Sequence, residues 1–324
     1  MHALRELVRY AILAASGHNT QPWKFALKPG AIEIHPDYTR RLLVVDPDDR
    51  ELWISLGCAL ENLLQAAQAT GYAPDVAYPS EPGTADTRDF IRVTLTPDTP
   101  HATPLFEVIP LRQNTRSAYD GQAVQASRLD QLQTLALEPD VVSQFFISPA
   151  DLQIVEAYVR QGNLRQLGDK AFRDELTGWL RFNQREATRL PDGLYMRCLG
   201  DPDVPRWLGR LIMNGMGAAR QADADTRKLR TSSGVIVIAS MADDKVAWVR
   251  VGQAYERLAL KMTSLNIKSA FLNQPIEVAD LRGQLQTALG LGAERPQLLL
   301  RFGYANKAVV MPRSFRRPVE QVLM

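Results

Sequence analysis

One loop near the N-terminus carries residues that could bind a flat ligand. Ala15–Trp23 has the sequence ASGHNTQPW. The small residues Ser16 and Gly17 allow a planar molecule to approach the backbone closely. Asn19 adds an amide group that can both donate and accept hydrogen bonds. The loop therefore predicts one wall of a ligand-binding site.

Two basic segments could bind an anion. The first, Arg112–Arg116, has the sequence RQNTR, and the second, Arg313–Arg317, has the sequence RSFRR. Guanidinium groups form paired hydrogen bonds with phosphate oxygens, and the amide and hydroxyl groups of the first segment add further polar contacts. Either segment alone is equally typical of a solvated charged surface. Together, the two segments suit the dianionic phosphate of a monophosphate ester.

The chain contains an internal repeat, which predicts the helices that position these segments. Asp48–Leu63 recurs as Asp243–Leu258, and both copies open with two aspartates and a basic residue. The matches fall at helical spacing, which predicts one amphipathic helix in each of two copies. Two like units in one chain can form the interface of a symmetric homodimer internally. The matched pairs are Trp53 and Trp248, Gly57 and Gly252, Ala59 and Ala254, Glu61 and Glu256, and Leu63 and Leu258.

The remaining pattern predicts an α+β protein with one sheet per copy. An amphipathic N-terminal helix precedes a hairpin that turns at Pro29-Gly30, and a strand covers Phe90–Leu95. The proline-rich stretch Pro97–Pro104 is typical of a linker. We therefore place the first copy at residues 1–105 and the second at residues 106–324. The first repeat helix is expected to end at Gly71.

The second copy contains a helical insertion at about residues 150–220. Its helices are expected to break at Leu190–Gly193 and at Asp201-Pro202, and buried strands are expected at Val235–Ala239 and Leu298–Phe302. The aromatic residues of the insertion could either line a lid over a ligand or pack a small helical subdomain. These residues are Trp179, Phe182, Tyr195 and Trp207.

Composition narrows the class of protein. The chain has 324 residues, of which 45% are hydrophobic and 23% charged, and its net charge is +2. This balance is ordinary for a soluble globular protein and predicts neither a nucleic-acid nor a membrane partner. Cys58 and Cys198 form no disulfide framework, which favours a reducing, cytoplasmic compartment. The four histidines share no ligand spacing with cysteines or carboxylates, so no metal site is expected.

The polar segments resemble motifs of the FMN-dependent nitroreductase superfamily. SGHNTQPW resembles its flavin-loop motif, and RQNTRSAYDGQAV is similar to its opening R-x-S-x-R-x-F-x-x-x-x-V segment, with Asn114 where serine is usual. Phe302-Gly303-Tyr304, followed by PRSFRRP, resembles its closing basic element. A double-length chain of this kind is similar to the Acg-like branch. That resemblance implies two fused nitroreductase-like α/β/α units that form an intramolecular pseudo-dimer.

The motifs are divided between the copies. The first copy keeps the small-residue loop but lacks the R-x-x-x-R opening, whereas the second keeps the opening and the basic tail but has no QPW around Gly215–Arg220. In the family, each flavin lies at a dimer interface, with the phosphate clamp from one subunit and the loop from the other. The resemblance therefore implies one FMN per chain, at the seam between the copies, in a protein that can be monomeric.

The resemblance also implies roles for individual residues. Arg116 would lie near the pyrimidine edge of the flavin, where a positive charge stabilises the reduced ring. The backbone around Ala270 and Phe271 matches the place where the family presents an N–H group to flavin N5, while Gln21 and Trp23 are more typical of structural anchors. Arg112, Asn114, Arg313 and Arg316 would surround the ribityl phosphate with Gln113 beside them, and Ser16, Gly17 and Asn19 would lie against the ring from the opposite copy.

The implied function is electron transfer from reduced FMN to a small organic acceptor, with NADPH or NADH as candidate electron donors. Because a flavin would carry the chemistry, the sequence is not expected to supply a catalytic acid, base or nucleophile. Two alternatives stay open. The protein could store or sequester FMN beneath the insertion, or one or both copies could serve only as an interaction scaffold.

Overall fold

The computed structural model describes residues 2–80, 88–215, 217–306 and 311–324. The N-terminal part of this chain forms one four-stranded antiparallel sheet and two helices, a short amphipathic one followed by a long one. Its elements are α1 (His2–Ala11), β1 (Trp23–Lys28), β2 (Ala31–Pro36), α2 (Arg50–Ala69), β3 (Tyr72–Ala77) and β4 (Ile91–Pro97). The strand order is β1-β2-β4-β3, and all neighbouring strands are antiparallel.

A second four-stranded antiparallel sheet, with the strand order β5-β8-β10-β9, lies further along the chain. The short strands β6 and β7 pair in parallel within the insertion. The elements are α3 (Pro104–Val108), α4 (Ala126–Gln133), β5 (Val141–Phe146), α5 (Pro149–Gly168), α6 (Lys170–Trp179), β6 (Leu180–Arg181), α7 (Gln184–Arg189), β7 (Leu194–Tyr195), α8 (Met196–Leu199), α9 (Arg206–Gly215), α10 (Ala218–Arg230), β8 (Gly234–Ser240), α11 (Lys245–Ser264), β9 (Lys268–Phe271), α12 (Gln274–Glu277), α13 (Ala279–Ala288), β10 (Arg295–Gly303) and α14 (Val319–Val322).

Most of the predicted elements are confirmed. The hairpin turns at Gly30, whose positive φ of 67° suits glycine, and Gly71 follows α2 with a φ of 89°. Every residue of β8 is buried, as its apolar run predicts. The sequence analysis missed β3, because Pro74 and Asp75 interrupt the alternation that identifies a strand. The mixed α/β architecture with two sheets agrees with the predicted fold class.

The two repeat helices, α2 and α11, cross at their matched glycines. A Cβ atom added to Gly57 would lie 2.0 Å from the carbonyl oxygen of Val249, and one added to Gly252 would lie 2.0 Å from that of Ile54. Each oxygen belongs to the residue three positions before the glycine of the facing helix, so the contact is reciprocal. The backbones therefore touch directly, and only glycine permits this approach at either position.

The C-terminal segment returns to the first sheet. Leu323 forms a parallel bridge with Phe25 of β1, and the Met324 N–H donates to the Phe25 carbonyl oxygen at 2.9 Å. Because β1 is the edge strand of this sheet, the segment covers backbone groups that would otherwise face solvent. It thereby carries Arg313–Arg317 across to the loop at Ser16.

The insertion forms several helical pieces, as predicted, and its aromatic residues play unequal parts. Phe182 is fully buried in a small apolar cluster, which supports the packing alternative. Tyr195 is also buried, 6.0 Å from the ring of Phe315. Trp179 lies beneath the guanidinium group of Arg40. Trp207 is 70% exposed, so it neither packs inside the insertion nor covers a ligand site.

Within the described ranges, no helix combines the length and the apolar character needed to cross a bilayer. The same residues include no group of three or more histidine, cysteine, aspartate or glutamate side chains placed to hold a metal ion. Cys58 is buried and unpaired, and Cys198 is a partly buried free thiol.

Replacing Gly252 with alanine is expected to destabilise the protein by about 3 kcal/mol or more. The added Cβ would overlap a backbone carbonyl of α2, which cannot move aside as a flexible side chain could. Urea denaturation should show a lower midpoint with little change in the slope.

Gly283, in α13, provides the matched control. A Cβ at this position would meet no atom within 4 Å, so Gly283→Ala should be neutral or stabilise by up to about 1 kcal/mol. Equal midpoints for Gly252→Ala and the unmodified protein would contradict the close helix crossing.

Candidate functional site

The loop after α1 adopts a left-handed backbone. His18, Asn19 and Gln21 have positive φ values of 46°, 53° and 52°, which are uncommon for residues other than glycine. The Ser16 hydroxyl accepts a hydrogen bond from the Gln21 N–H at 3.0 Å, and the Gly17 N–H donates to the Ser55 hydroxyl of α2 at 3.2 Å. Hydrogen bonds to side-chain hydroxyls therefore stabilise a backbone conformation that would otherwise be unfavourable.

Gln21 and Trp23 are structural, as predicted. The Gln21 side chain is fully buried, donates to the Pro191 carbonyl oxygen at 2.8 Å, and accepts from the Arg317 N–H at 2.8 Å. It thus ties the loop to both the insertion and the C-terminal segment. Trp23 is fully buried at the start of β1.

The structure brings the predicted site residues together. Most of them line one small cavity of about 130 Å³, which we call the anion cavity. Gly17 and Phe271 line a neighbouring cavity of about 970 Å³, which we call the main cavity. Ser16, Asn114 and Arg116 line both, so the two cavities adjoin. The predicted residues around the anion cavity are Ser16, Asn19, Arg112, Gln113, Asn114, Arg116, Arg313 and Arg316.

Two arginines, the buried Arg112 and the partly buried Arg316, each offer an unused buried hydrogen-bond donor at the anion cavity. Arg112 lies with its Nε 2.8 Å from Oε1 of Glu256, and its Nη2 donates to the Leu13 carbonyl oxygen at 3.2 Å. Arg316 donates from Nη1 to the Asn19 side-chain oxygen at 3.0 Å. Nη1 of Arg112 and Nε of Arg316 are buried without a hydrogen-bond partner. Buried donors of this kind fit an anionic ligand.

The lowered pKa values of two arginines at the cavity also favour binding of an anion. Burial and the nearby charge of Arg112 lower the pKa of Arg316 to about 10. Burial likewise lowers the pKa of Arg116. Glu256 pairs with Arg112 but leaves the cavity rich in positive charge. An anion placed there would relieve the repulsion between the guanidinium groups.

Arg313 and Gln113 occupy more peripheral places. Arg313 is exposed, and its guanidinium donates to the Pro110 carbonyl oxygen. The Gln113 side chain donates to the Met311 carbonyl oxygen at 3.4 Å, while its Oε1 is buried without a partner. We therefore expect both residues to contribute less to anion binding than Arg112 and Arg316.

The main cavity has one polar and one apolar side. On the polar side, a Cβ added to Gly17 would lie 3.2 Å from Oε2 of Glu51, and the Tyr255 hydroxyl donates to the Asn114 side-chain oxygen at 3.0 Å. The insertion supplies the apolar side, although not through the four aromatic residues singled out in the sequence. The apolar lining residues from the insertion are Leu167, Phe172, Leu176, Leu180, Leu194, Met196, Leu199, Ile212 and Met213.

A pair of carboxyl groups in the main cavity escaped the sequence analysis. Glu51 of α2 and Glu277 of α12 share a side-chain hydrogen bond, and both line the cavity. Burial and the charge of Glu277 raise the pKa of Glu51 to about 8, and burial raises the pKa of Glu277. The two residues lie 226 positions apart in no recognised motif, so no sequence signal could have paired them.

The groups around the pair hold it in place. Asn273 and Arg50 donate to Oε1 of Glu51 at 3.4 Å and 3.3 Å, and Gln166 donates to Oε2 of Glu277 at 2.5 Å. Asp46 accepts the N–H groups of Glu51 and Leu52 at the start of α2, both at 2.9 Å. Burial, together with the charge of Glu51, raises the pKa of Asp46 to about 7.

Comparisons with known proteins give relatives at low identity. No protein-family model matches the chain. Relatives in two strains of Mycobacterium tuberculosis, which carry the provisional name NAD(P)H nitroreductase, are 26% identical over 331 aligned positions, covering 99% of this chain and 90% of the relative.

Solved structures of nitroreductases are also similar to this chain. One from Bacteroides fragilis with bound FMN is 14% identical, with a TM-score of 0.42, and covers 67% of this chain and 96% of its own. An FMN-dependent nitroreductase from Mycobacterium smegmatis in complex with NADPH is 16% identical, with a TM-score of 0.43, and covers 65% of this chain and 93% of its own.

Replacing Glu51 with glutamine is expected to flatten the dependence of stability on pH. A carboxyl group whose pKa is higher in the folded state than in the unfolded chain stabilises the fold fully below the unfolded value. That contribution is lost as pH rises through the folded value. For Glu51 the window therefore runs from the ordinary value of 4.5 up to about 8.

The free energy of unfolding should be measured in urea at about pH 5 and about pH 8. The unmodified protein should lose more stability over this interval than Glu51→Gln or Glu277→Gln. Because the pair titrates as a unit, the double variant should add little to either single change. A Glu51→Gln variant with the same loss as the unmodified protein would show that the pair does not retain a proton.

Proposed function

We propose that this chain is an FMN-dependent oxidoreductase of the nitroreductase class that passes electrons to a small organic acceptor. The observation that carries the proposal is the convergence of the Ser16 loop with Arg112 and Arg316 around one cavity. The whole-length similarity to proteins named NAD(P)H nitroreductase supports the same class. Bound FMN would supply two-electron redox chemistry.

The phosphate of FMN would occupy the anion cavity. Nη1 of Arg112 and Nε of Arg316 are buried donors without a partner, and a phosphate dianion would accept from both. Asn114 and Asn19 add amide groups at the rim. The fit rests on these two donors as well as on the positive charge, since an apolar group in the cavity would leave Nη1 of Arg112 and Nε of Arg316 without a partner.

The isoalloxazine ring would extend into the main cavity. Ser16 and Gly17 line this cavity, and Arg116 lies where the two cavities adjoin. Phe271 lines the same cavity at the end of β9, which is consistent with the proposed backbone contact to flavin N5. The apolar wall contributed by the insertion would favour an acceptor with an aromatic or quinonoid body.

The chain would contain two fused nitroreductase-like units, at residues 1–105 and 106–324, as in the Acg-like branch. The repeat and the reciprocal approach of Gly57 and Gly252 support this division. So does the source of the site residues, since the small-residue loop and the basic segments come from opposite parts of the chain. The protein would then be a monomer with one FMN and would need no partner chain to complete its site.

The proposal predicts that Arg316→Ala binds FMN about 10- to 100-fold more weakly, because each charge-assisted hydrogen bond contributes roughly 1.5–3 kcal/mol. Arg112→Ala should behave in the same way. Riboflavin, which has the same ring but no phosphate, should bind the Arg316→Ala variant as well as it binds the unmodified protein. Calorimetric titration with both compounds measures the difference.

Arg160→Ala provides a control that removes an exposed arginine, paired with Asp223 on the insertion, without touching either cavity. It should keep full affinity for FMN. An equal loss of FMN and riboflavin binding in Arg316→Ala would place the phosphate elsewhere. A protein that binds neither compound would refute the proposed function.

Anaerobic mixing of the FMN-loaded protein with NADPH or NADH tests whether it is an enzyme. We expect prompt bleaching of the flavin absorbance and its return when a quinone is added. The relatives named NAD(P)H nitroreductase motivate the choice of donors. If dithionite bleaches the flavin and neither nicotinamide does, the result supports the alternative of FMN sequestration.

A further inference from the structure

The carboxyl pair in the main cavity lies beside the proposed flavin wall. Oε2 of Glu51 would be 3.2 Å from a Cβ atom at Gly17, so this carboxyl group faces the small-residue loop. Glu51 is 6% exposed, and it shares a hydrogen bond with Glu277. Burial and mutual repulsion disfavour ionisation of both carboxyl groups at once, so the pair retains one proton. The pair therefore stores a proton in direct contact with the cavity.

We propose that Glu51 and Glu277 together deliver the proton that an organic acceptor needs when it is reduced in the main cavity. This inference rests on the proposed function and names a proton source within the same site. It assigns catalytic residues where the sequence indicated none. The stored proton suits acceptors that take up protons with their electrons, such as quinones and nitro compounds.

The proton balance shows why a donor is needed. A para-quinone becomes a hydroquinone by gaining two electrons and two protons. A hydride from the reduced cofactor of the proposed function brings both electrons and one proton, and it forms one new bond to the quinone. The second proton passes from the carboxyl pair to the remaining quinone oxygen. The pair is then doubly ionised and recovers its proton from solvent through the cavity mouth.

Three other titratable side chains that line the main cavity are poorer proton donors. Burial and the charge of Arg116 lower the pKa of His18 to about 4, so its imidazole is neutral near neutral pH. The Tyr255 hydroxyl already donates to Asn114. Cys58 is a buried thiol whose pKa is raised by burial and by Glu256.

The neighbouring carboxylate Asp225 is also unsuited to this role. It accepts hydrogen bonds from the side-chain amides of Asn163 and Gln274 through Oδ2, at 3.1 Å and 3.2 Å, and from Gln221 through Oδ1 at 3.2 Å. Three side-chain amides thus already occupy both oxygens of this carboxylate. In the Glu51–Glu277 pair, in contrast, the charge of one carboxylate disfavours ionisation of the other.

The charges around the pair favour restoring its proton after each transfer. Asp46 lies close enough to repel a second negative charge, while Arg50 offers one compensating guanidinium. Three carboxyl groups therefore face a single cation, with only neutral amides from Gln166 and Asn273 as further partners. A doubly ionised pair is costly in this setting, so uptake of a proton is favourable.

The test compares two acceptors that differ in their need for protons. Protein carrying FMN is reduced with one equivalent of dithionite and mixed in a stopped-flow instrument with ferricyanide, which takes electrons alone, or with menadione, a para-quinone. In Glu277→Gln and Glu51→Gln, the menadione rate should fall about 100-fold or more. The ferricyanide rate should be unchanged in both variants.

Glu33→Gln is the matched control. Glu33 is a buried carboxyl group in β2, paired with Arg92 at 2.8 Å and outside the main cavity. This variant should keep both rates. Equal menadione rates in the unmodified protein, Glu277→Gln and Glu51→Gln would overturn the proposal. Loss of the ferricyanide reaction in all proteins would instead refute the proposed function.

A spectroscopic measurement on the FMN-free protein tests the stored proton separately. The infrared spectrum of the unmodified protein at neutral pH should contain a protonated-carboxyl carbonyl band that is stronger, by the intensity of one carboxyl group, than in the double variant Glu51→Gln/Glu277→Gln. Glu33→Gln should keep the full band. If the unmodified protein and the double variant have the same carboxyl band, the pair stores no proton and the proposal fails.

Discussion

The direct contact between the backbones of α2 and α11 is the constraint on which the candidate site depends. The two helices approach closely because Gly57 and Gly252 lack side chains. Glu256 lies one turn after Gly252 and meets Arg112, while Ser55, just before Gly57, accepts the Gly17 N–H. The crossing therefore fixes both the anion cavity and the loop that faces it. A wider separation would pull these partners apart while leaving each sheet intact.

The main regular elements near the site could be predicted from the sequence, because their signals are local. Apolar periodicity revealed α2 and α11, and the Pro29-Gly30 turn revealed the hairpin. The resemblance to family motifs also predicted that distant segments form one site, and Ser16 and Arg112 do line the same cavity. That success came from the order of the motifs, because neither arginine segment alone distinguishes a binding site from a charged surface.

The missed features depend on tertiary packing. The left-handed backbone at His18 and Asn19 accompanies hydrogen bonds that the Asn19 side chain donates to the carbonyl oxygens of Gly193 and Phe315. These partners are distant in sequence, so the residue types alone do not predict the conformation. The pairing of Glu51 with Glu277 arises because α2 and α12 meet at one cavity, and burial then changes the acidity of both groups. Trp207 was misjudged because an aromatic residue at helical spacing does not reveal whether its helix face is covered.

The hydrogen bond between Asn19 and Arg316 joins residues that are 297 positions apart. At a translation rate of about 5–20 residues per second, the loop leaves the ribosome roughly 15 to 60 seconds before the guanidinium that binds it. During that interval the nascent chain cannot complete the anion cavity, however well its first sheet has folded. Binding of an anion in this cavity would thus be a late event in biogenesis, and a chain interrupted before Arg316 would lack one of the guanidinium groups that form the cavity.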